Sequence, residues 1–209
     1  LNLPKDAEFT RIDHADALVA IVYKITQPNV LPLILKICER QQDYFRELYF
    51  LKHFSGTLPV ARIVNIIEPS FDIHGAILME CFPGSLLQAS ALTEELAYKI
   101  GAILAQIHLN RMPAYGDLTE PHNLNPDPRI YFTLKFEEGL LECENNLPKE
   151  LLQQSRKYYD AHVDLLLSVD GPCIIHRDFR PGNIMVKEGK LQGIIDWASG
   201  RAGFAEDDF

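Results

Sequence analysis

With 209 residues, 47% hydrophobic and 23% charged, the chain has the composition of an ordinary globular protein, long enough to bury roughly 70% of its unfolded surface. Its 29 acidic residues outnumber its 20 basic ones, and the resulting net charge of −9 argues against a nucleic-acid partner and favours a cationic partner over an anionic one. No apolar run is long enough to span a bilayer and no signal-peptide pattern opens the sequence, so no membrane association and a cytoplasmic location are expected. Cys38, Cys81, Cys143 and Cys173 lack the spacing of a metal knuckle and lie mostly in apolar runs, which predicts buried free thiols.

The first 37 residues contain three β-rich runs, 9–12, 18–25 and 31–37, separated by polar punctuation at 13–16 and 26–29, the pattern of an antiparallel meander. Lys36 closes the third run between leucine and isoleucine. An ammonium in so apolar a strand needs a carboxylate partner unless it snorkels from an edge. The next helix, expected over 43–54 from Tyr44, Leu48 and Leu51 and ending before Ser55-Gly56, offers Glu47 as that partner. Strands are expected over 60–68 and 75–80 around a turn at 69–72. Leu96, Ile100, Ile103, Leu104 and Ile107 then form one apolar stripe, which predicts a helix over 94–110 with Thr93 as its N-cap and His108 as a packed or capping residue.

Residues 112–128, rich in Pro, Asn, Asp and Gly, read as a long irregular connection. A short helix is expected within 131–141 and a longer one from Pro148 to Val169. Glu137, Glu138, Glu142, Glu144 and Asp160 could line a pocket for an amine there, or simply be solvated helix faces.

The densest chemistry follows. An apolar run ends at His176, the polar segment Arg177-Asp178-Phe179-Arg180-Pro181-Gly182 must turn, and Asn183 opens a second apolar run. Gly193-Ile194-Ile195 then delivers Asp196 at the mouth of another strand. Phosphoryl transfer requires such a set: a carboxylate to take the proton of an attacking hydroxyl, and an amide oxygen with a second carboxylate to hold Mg²⁺.

His176-x-Asp178, Asn183 five residues after Asp178, and the later Ile195-Asp196-Trp197 resemble the active-site motifs of the aminoglycoside phosphotransferase and choline kinase family, whose fold is similar to that of protein kinases. The resemblance implies an α+β, protein-kinase-like two-lobe fold. A small antiparallel β-sheet lobe with one helix (1–80, nucleotide-binding) would lead through a hinge (81–84) to a mostly helical catalytic and substrate lobe (85–209), with further C-terminal helices missing. It implies that Asp178 is the base and that Arg180 neutralises the γ-phosphate, although a solvated loop arginine fits equally. Asn183 and Asp196 would bind Mg²⁺, with His176 as scaffold. Lys36 would grip the α- and β-phosphates with Glu47 holding it, and the Glu80 carbonyl and Phe82 amide would recognise the base of ATP or GTP, although Pro83-Gly84 also reads as an ordinary turn. Asp208 corresponds to a residue that braces the catalytic loop.

The implied activity is transfer of the γ-phosphate to a hydroxyl of a small molecule such as an aminoglycoside, choline-like compound or amino sugar. One departure motivates an alternative: the turn at Asp13-His14-Ala15-Asp16, which would cover the phosphates, has no glycine, so a catalytically silent pseudokinase scaffold is the second reading.

Overall fold

The computed structural model describes residues 6–12 and 20–209; the expected phosphate-covering turn at 13–16 lies outside them. The chain divides into two compact units, Leu1–Ala105 with His176–Gly200, and Gln106–Ile175 with Arg201–Phe209.

The first unit carries an antiparallel sheet whose five described strands are β1 (Glu8–Arg11), β2 (Ala20–Gln27), β3 (Val30–Cys38), β4 (Ile63–Ile67) and β5 (Ala76–Glu80), in the order β1-β2-β3-β5-β4. The side-chain period of two sorts β3: Leu35 joins Ile25, Ala76 and Leu78 in the core, whereas Ile34 and Lys36 turn to the opposite face. Asn29, at φ 59°, makes the β2–β3 turn, a conformation asparagine tolerates. Helix α1 (Gln41–His53) follows β3, with Tyr44, Glu47, Leu48, Phe50 and Leu51 buried along it.

Past β5 the chain forms β6 (Ser85–Leu86), which pairs with β8 (Ile184–Lys187); β8 pairs in turn with β9 (Lys190–Ile194). Gly84, at φ +97°, permits this: a Cβ there would lie 2.0 Å from the Val186 carbonyl oxygen. Helix α2 (Glu94–His108) has the expected start, with the Leu96 N–H donating to Thr93 Oγ1 at 3.2 Å, and its Leu96, Leu104 and Ile107 are buried.

In the second unit the expected short helix is a sixteen-residue one, α3 (Pro128–Cys143). The helix starts directly at the end of the irregular connection, ahead of the expected run at 131, because Asp127 caps it by accepting from the Arg129 N–H at 2.9 Å and Pro128 fits the first turn. Helix α4 (Lys149–His162) is shorter than expected, and the chain continues as a 3₁₀ segment over Val163–Ser168. Strand β7 (Cys173–Ile175) pairs antiparallel with β10 (Arg201–Gly203). His108 does not cap α2: its Nε2 lies 3.0 Å from Oδ2 of the buried Asp208. All four cysteines are free; Cys38 and Cys173 are buried, and burial pushes both thiols up to about 11. Among the described residues no helix is long and apolar enough to cross a membrane.

Candidate active site

The site lies within the first unit, where β3, α1 and the loops around β8 and β9 converge. β3 aims Lys36 away from the sheet core, and α1 turns Glu47 inward; they are only 8% and 2% exposed. Lys36 Nζ donates to Glu47 Oε2 at 2.8 Å and to Asp196 Oδ1 at 2.8 Å. Burial alone would push the ammonium toward neutrality, but the two carboxylates outweigh it and raise its pKa, so Lys36 stays charged. Burial pushes the Glu47 carboxyl up against the pull of Lys36 and of a hydrogen bond from the Trp197 backbone N–H. For Asp196, burial works in the same upward direction, yet Lys36 wins and holds the carboxyl below the ordinary aspartate range.

The 176–183 loop supplies the second half. His176 is fully buried; its Nδ1 accepts from the Asp178 N–H at 3.3 Å, so its Nε2 carries the proton that it donates to the Ile195 carbonyl at 3.1 Å. The histidine thereby ties the turn that presents Asp178 to the strand end that presents Asp196. A short 3₁₀ turn at Pro181–Asn183 folds Asn183 back, and its Nδ2 donates to Asp178 Oδ2 at 2.6 Å and to the Asp178 carbonyl at 2.9 Å. Arg180 Nε donates to Asp178 Oδ1 at 3.0 Å, so this arginine is paired with the expected base.

These side chains stand at the polar end of a cavity of about 450 Å³. Val22, Ile34, Met79 and Met185 form apolar wall, and Glu80 to Ser85 line its rim. Phe82 packs its ring against Gly193, where a Cβ would lie 2.2 Å from the ring. Among the described residues, those expected at the nucleotide and metal site, Lys36, Glu47, Glu80, Phe82, Arg180, Asn183 and Asp196, line this one cavity. Asp178 joins them through its bonds to Arg180 and Asn183.

The oxygen donors suit a hard cation. Asn183 commits its Nδ2 to Asp178, which leaves Oδ1 for a ligand, and Asp196 gives only Oδ1 to Lys36. Among the described residues no group of three or more His, Cys, Asp or Glu side chains is placed to hold a metal. An amide and one carboxylate match Mg²⁺, which is usually held by few protein oxygens together with substrate phosphates.

None of Glu137, Glu138, Glu142, Glu144 and Asp160 lines the groove beside α3 and α4. Glu137 pairs with Arg156 and Glu138 with Lys135 on exposed helix faces. The groove between α3 and α4 is instead lined by aromatic residues, with Phe136 and Tyr159 stacked at 4.0 Å. Sequence reasoning gave Phe50 and Phe54 no role, although they pack against Trp197 next to Asp196 and share with Glu47 the spacing of one helix face.

Comparison with known proteins agrees with this arrangement. A thermostable mutant of aminoglycoside phosphotransferase APH(4)-Ia, solved with AMP-PNP and hygromycin B, superposes with a TM-score of 0.72 at 13% identity, over 95% of this chain and 68% of that one. The streptomycin-ATP complex of APH(2″)-IIa gives 0.69 at 18% identity over 96% and 69%. ADP-bound APH(2″)-Ib gives 0.68 at 19% over 96% and 69%. At these identities the likeness establishes the fold, α+β and protein-kinase-like. No curated protein sequence matches the chain significantly. The sequence profile of the phosphotransferase enzyme family, however, matches residues 14–209. A profile match over nearly the whole chain, on a fold shared with three phosphotransferases, makes this protein a member of the phosphotransferase enzyme family.

Proposed function

We propose that the protein transfers the γ-phosphate of ATP or GTP to a hydroxyl of a small molecule, with Mg²⁺ as cofactor. The observation that carries this reading is Lys36, held charged between Glu47 and Asp196 at 2.8 Å from each, in a cavity walled in part by Val22, Ile34, Met79 and Met185. In this reading the apolar walls and the 80–82 rim take the base, and Lys36 meets the phosphates while Glu47 keeps it in place. Asn183 Oδ1 and the Asp196 carboxylate would hold Mg²⁺, which supplies charge neutralisation along the phosphates.

Asp178 orients the acceptor hydroxyl and takes its proton. Its two oxygens already accept from Arg180 and Asn183, which fixes the carboxylate plane; Arg180 is placed to pass from Asp178 to a phosphate as negative charge develops there. On this reading the functional lobes are 1–80 and 85–209, joined at 81–84. The phosphotransferases it resembles include proteins solved with hygromycin B, streptomycin and gentamicin, and with the net charge of −9 this favours a cationic, hydroxylated acceptor. A cytoplasmic setting, where nucleotide is plentiful, goes with the same reading.

The silent-scaffold alternative rests on the glycine-free turn alone, while the lysine, both carboxylates and the amide are all present and converge. The deciding experiment incubates the full-length protein with Mg-ATP or Mg-GTP and a panel of aminoglycosides, choline and amino sugars. Phosphorylated product from wild type and none from Asp178→Ala supports the proposal; nucleotide binding without product on any acceptor would favour the scaffold.

A further inference from the structure

Asp196 has to be held at one angle to serve a cation. It stands in the left-handed region, φ 66° and ψ 64°, which aspartate reaches more readily than most residues but which its surroundings still have to select. The surroundings are aromatic. The next residue, Trp197, is the chain's sole tryptophan and is fully buried. Its ring centroid lies 5.6 Å from that of Phe50, 5.0 Å from Phe54 and 4.5 Å from His176. The indole Nε1 donates to the Ile194 carbonyl at 3.3 Å, so the ring is fixed in rotation as well as in place.

What grips this ring is the helix that also grips Lys36. Glu47, Phe50 and Phe54 fall at i, i+3 and i+7, one stripe along α1 and its C-terminal end. Through Glu47 the stripe takes Lys36 Nζ; through Phe50 and Phe54 it takes the indole. Farther along the loop, Gly200 approaches so closely that a Cβ there would lie 2.5 Å from the Phe50 ring. On the other flank of Asp196, the Ile195 N–H donates to the Asn183 carbonyl at 3.0 Å and the Ile195 carbonyl accepts from His176. Both neighbours of Asp196 are thus pinned, one to α1 and one to the 176–183 loop.

We propose that Trp197 is a positioning residue that fastens Asp196 to α1, so that the grip on metal through Asp196 depends on the same helix face that holds Lys36, while Lys36 itself keeps its own tie to Glu47. This rests on reading Asp196 as a metal ligand. A tryptophan that merely filled the core would contribute to stability and leave metal affinity alone. A fastener must also control the order of the loop and the metal-dependent part of nucleotide binding.

The test uses Trp197→Leu, Phe50→Leu and the ring-conserving Trp197→Phe in the full chain, each kept only if it melts cooperatively. Amide exchange without any ligand is measured first. In both leucine variants, exchange across 195–199 is expected to quicken about tenfold or more while β4 is unchanged, with Trp197→Phe within about threefold of wild type. ADP binding is then measured with EDTA and with Mn²⁺. The leucine variants are expected to bind ADP within about twofold of wild type in EDTA and about tenfold or more weaker with Mn²⁺, with recovery in Trp197→Phe.

Unchanged exchange across 195–199, or equal weakening with and without metal, overturns the inference. If Trp197→Leu does not fold, Phe50→Leu gives the same readings with the indole retained, and its emission should move to longer wavelength. Wild-type protein that binds no Mn²⁺-ADP would end the proposed phosphotransfer, while the ligand-free exchange still decides whether Trp197 orders the loop.

Discussion

Replacing Lys36 with methionine removes the cation between two acids and strands one of them. Asp196 has a side chain 34% exposed and can return to water, whereas Glu47 at 2% cannot. Removing one partner of a buried pair costs roughly 3–5 kcal/mol; with only Glu47 stranded, the lower end, about 3 kcal/mol, is expected at pH 8. For a chain of this size that lowers Tm by about 6–12 °C.

The cost has to depend on pH. Burial already pushes the Glu47 carboxyl up, and without Lys36 to pull it back the folded variant holds a proton that the unfolded chain has lost. More protons bound in the folded state means stability falling as pH rises, by up to about 1.4 kcal/mol per unit. Thermal melts of wild type and Lys36→Met between pH 5 and pH 8 should therefore show a gap that narrows toward pH 5. Lys36→Met with Glu47→Leu should recover most of the loss, because an apolar pair of similar volume replaces a buried ion pair at little cost. A gap of equal size at both ends of the range would refute the stranded-acid reasoning, and no gap at all would mean that the pair is solvated.

Three further outcomes are expected. Asp178→Asn should cut turnover about a hundredfold or more while Mg-nucleotide affinity, read by thermal shift, stays within about twofold. Because Lys36 holds the Asp196 carboxyl below the roughly 3.9 of a free aspartate, its stabilising contribution is complete above about pH 5 and lost as pH falls through the folded value; the stability difference between wild type and Asp196→Asn should shrink from pH 6 to pH 3. Thr93→Ala removes the acceptor for the Leu96 N–H and should cost about 1 kcal/mol, a Tm fall of about 2–4 °C in a calorimeter scan, without changing nucleotide binding.

The parts of the fold that were legible in the sequence are those where one local rule suffices. The stripe from Leu96 to Ile107 gave α2 because its buried face is continuous, and the turn chemistry of Pro181-Gly182 marked the loop that presents Asp178 and Asn183. Lys36 was conspicuous because an ammonium between leucine and isoleucine demands a partner. Helix α3 was harder to see, since Ile130, Leu134 and Leu141 are exposed and blur its stripe; its signal was the capping pair Asp127-Pro128. The 3₁₀ run at Val163–Ser168 carries leucines at positions that a longer α4 would also have used, with Leu165 and Leu167 left at the surface. The contacts of Trp197 with Phe50 and Phe54 span well over a hundred residues, a distance at which no periodicity operates.

The first unit is assembled from two stretches of chain with residues 106–175 intervening. During synthesis the ribosome releases α1 long before Trp197 exists, so Phe50 and Phe54 must wait without their cover while the intervening chain is made. Closing so long a loop adds only slowly to the entropic cost, but it delays the contact, and a nascent chain halted before His176 presents bare aromatic surface. Such arrested fragments are the natural clients of chaperones, and a ligand that binds at Lys36 and Asp196 can help only after the last strand of the unit has emerged.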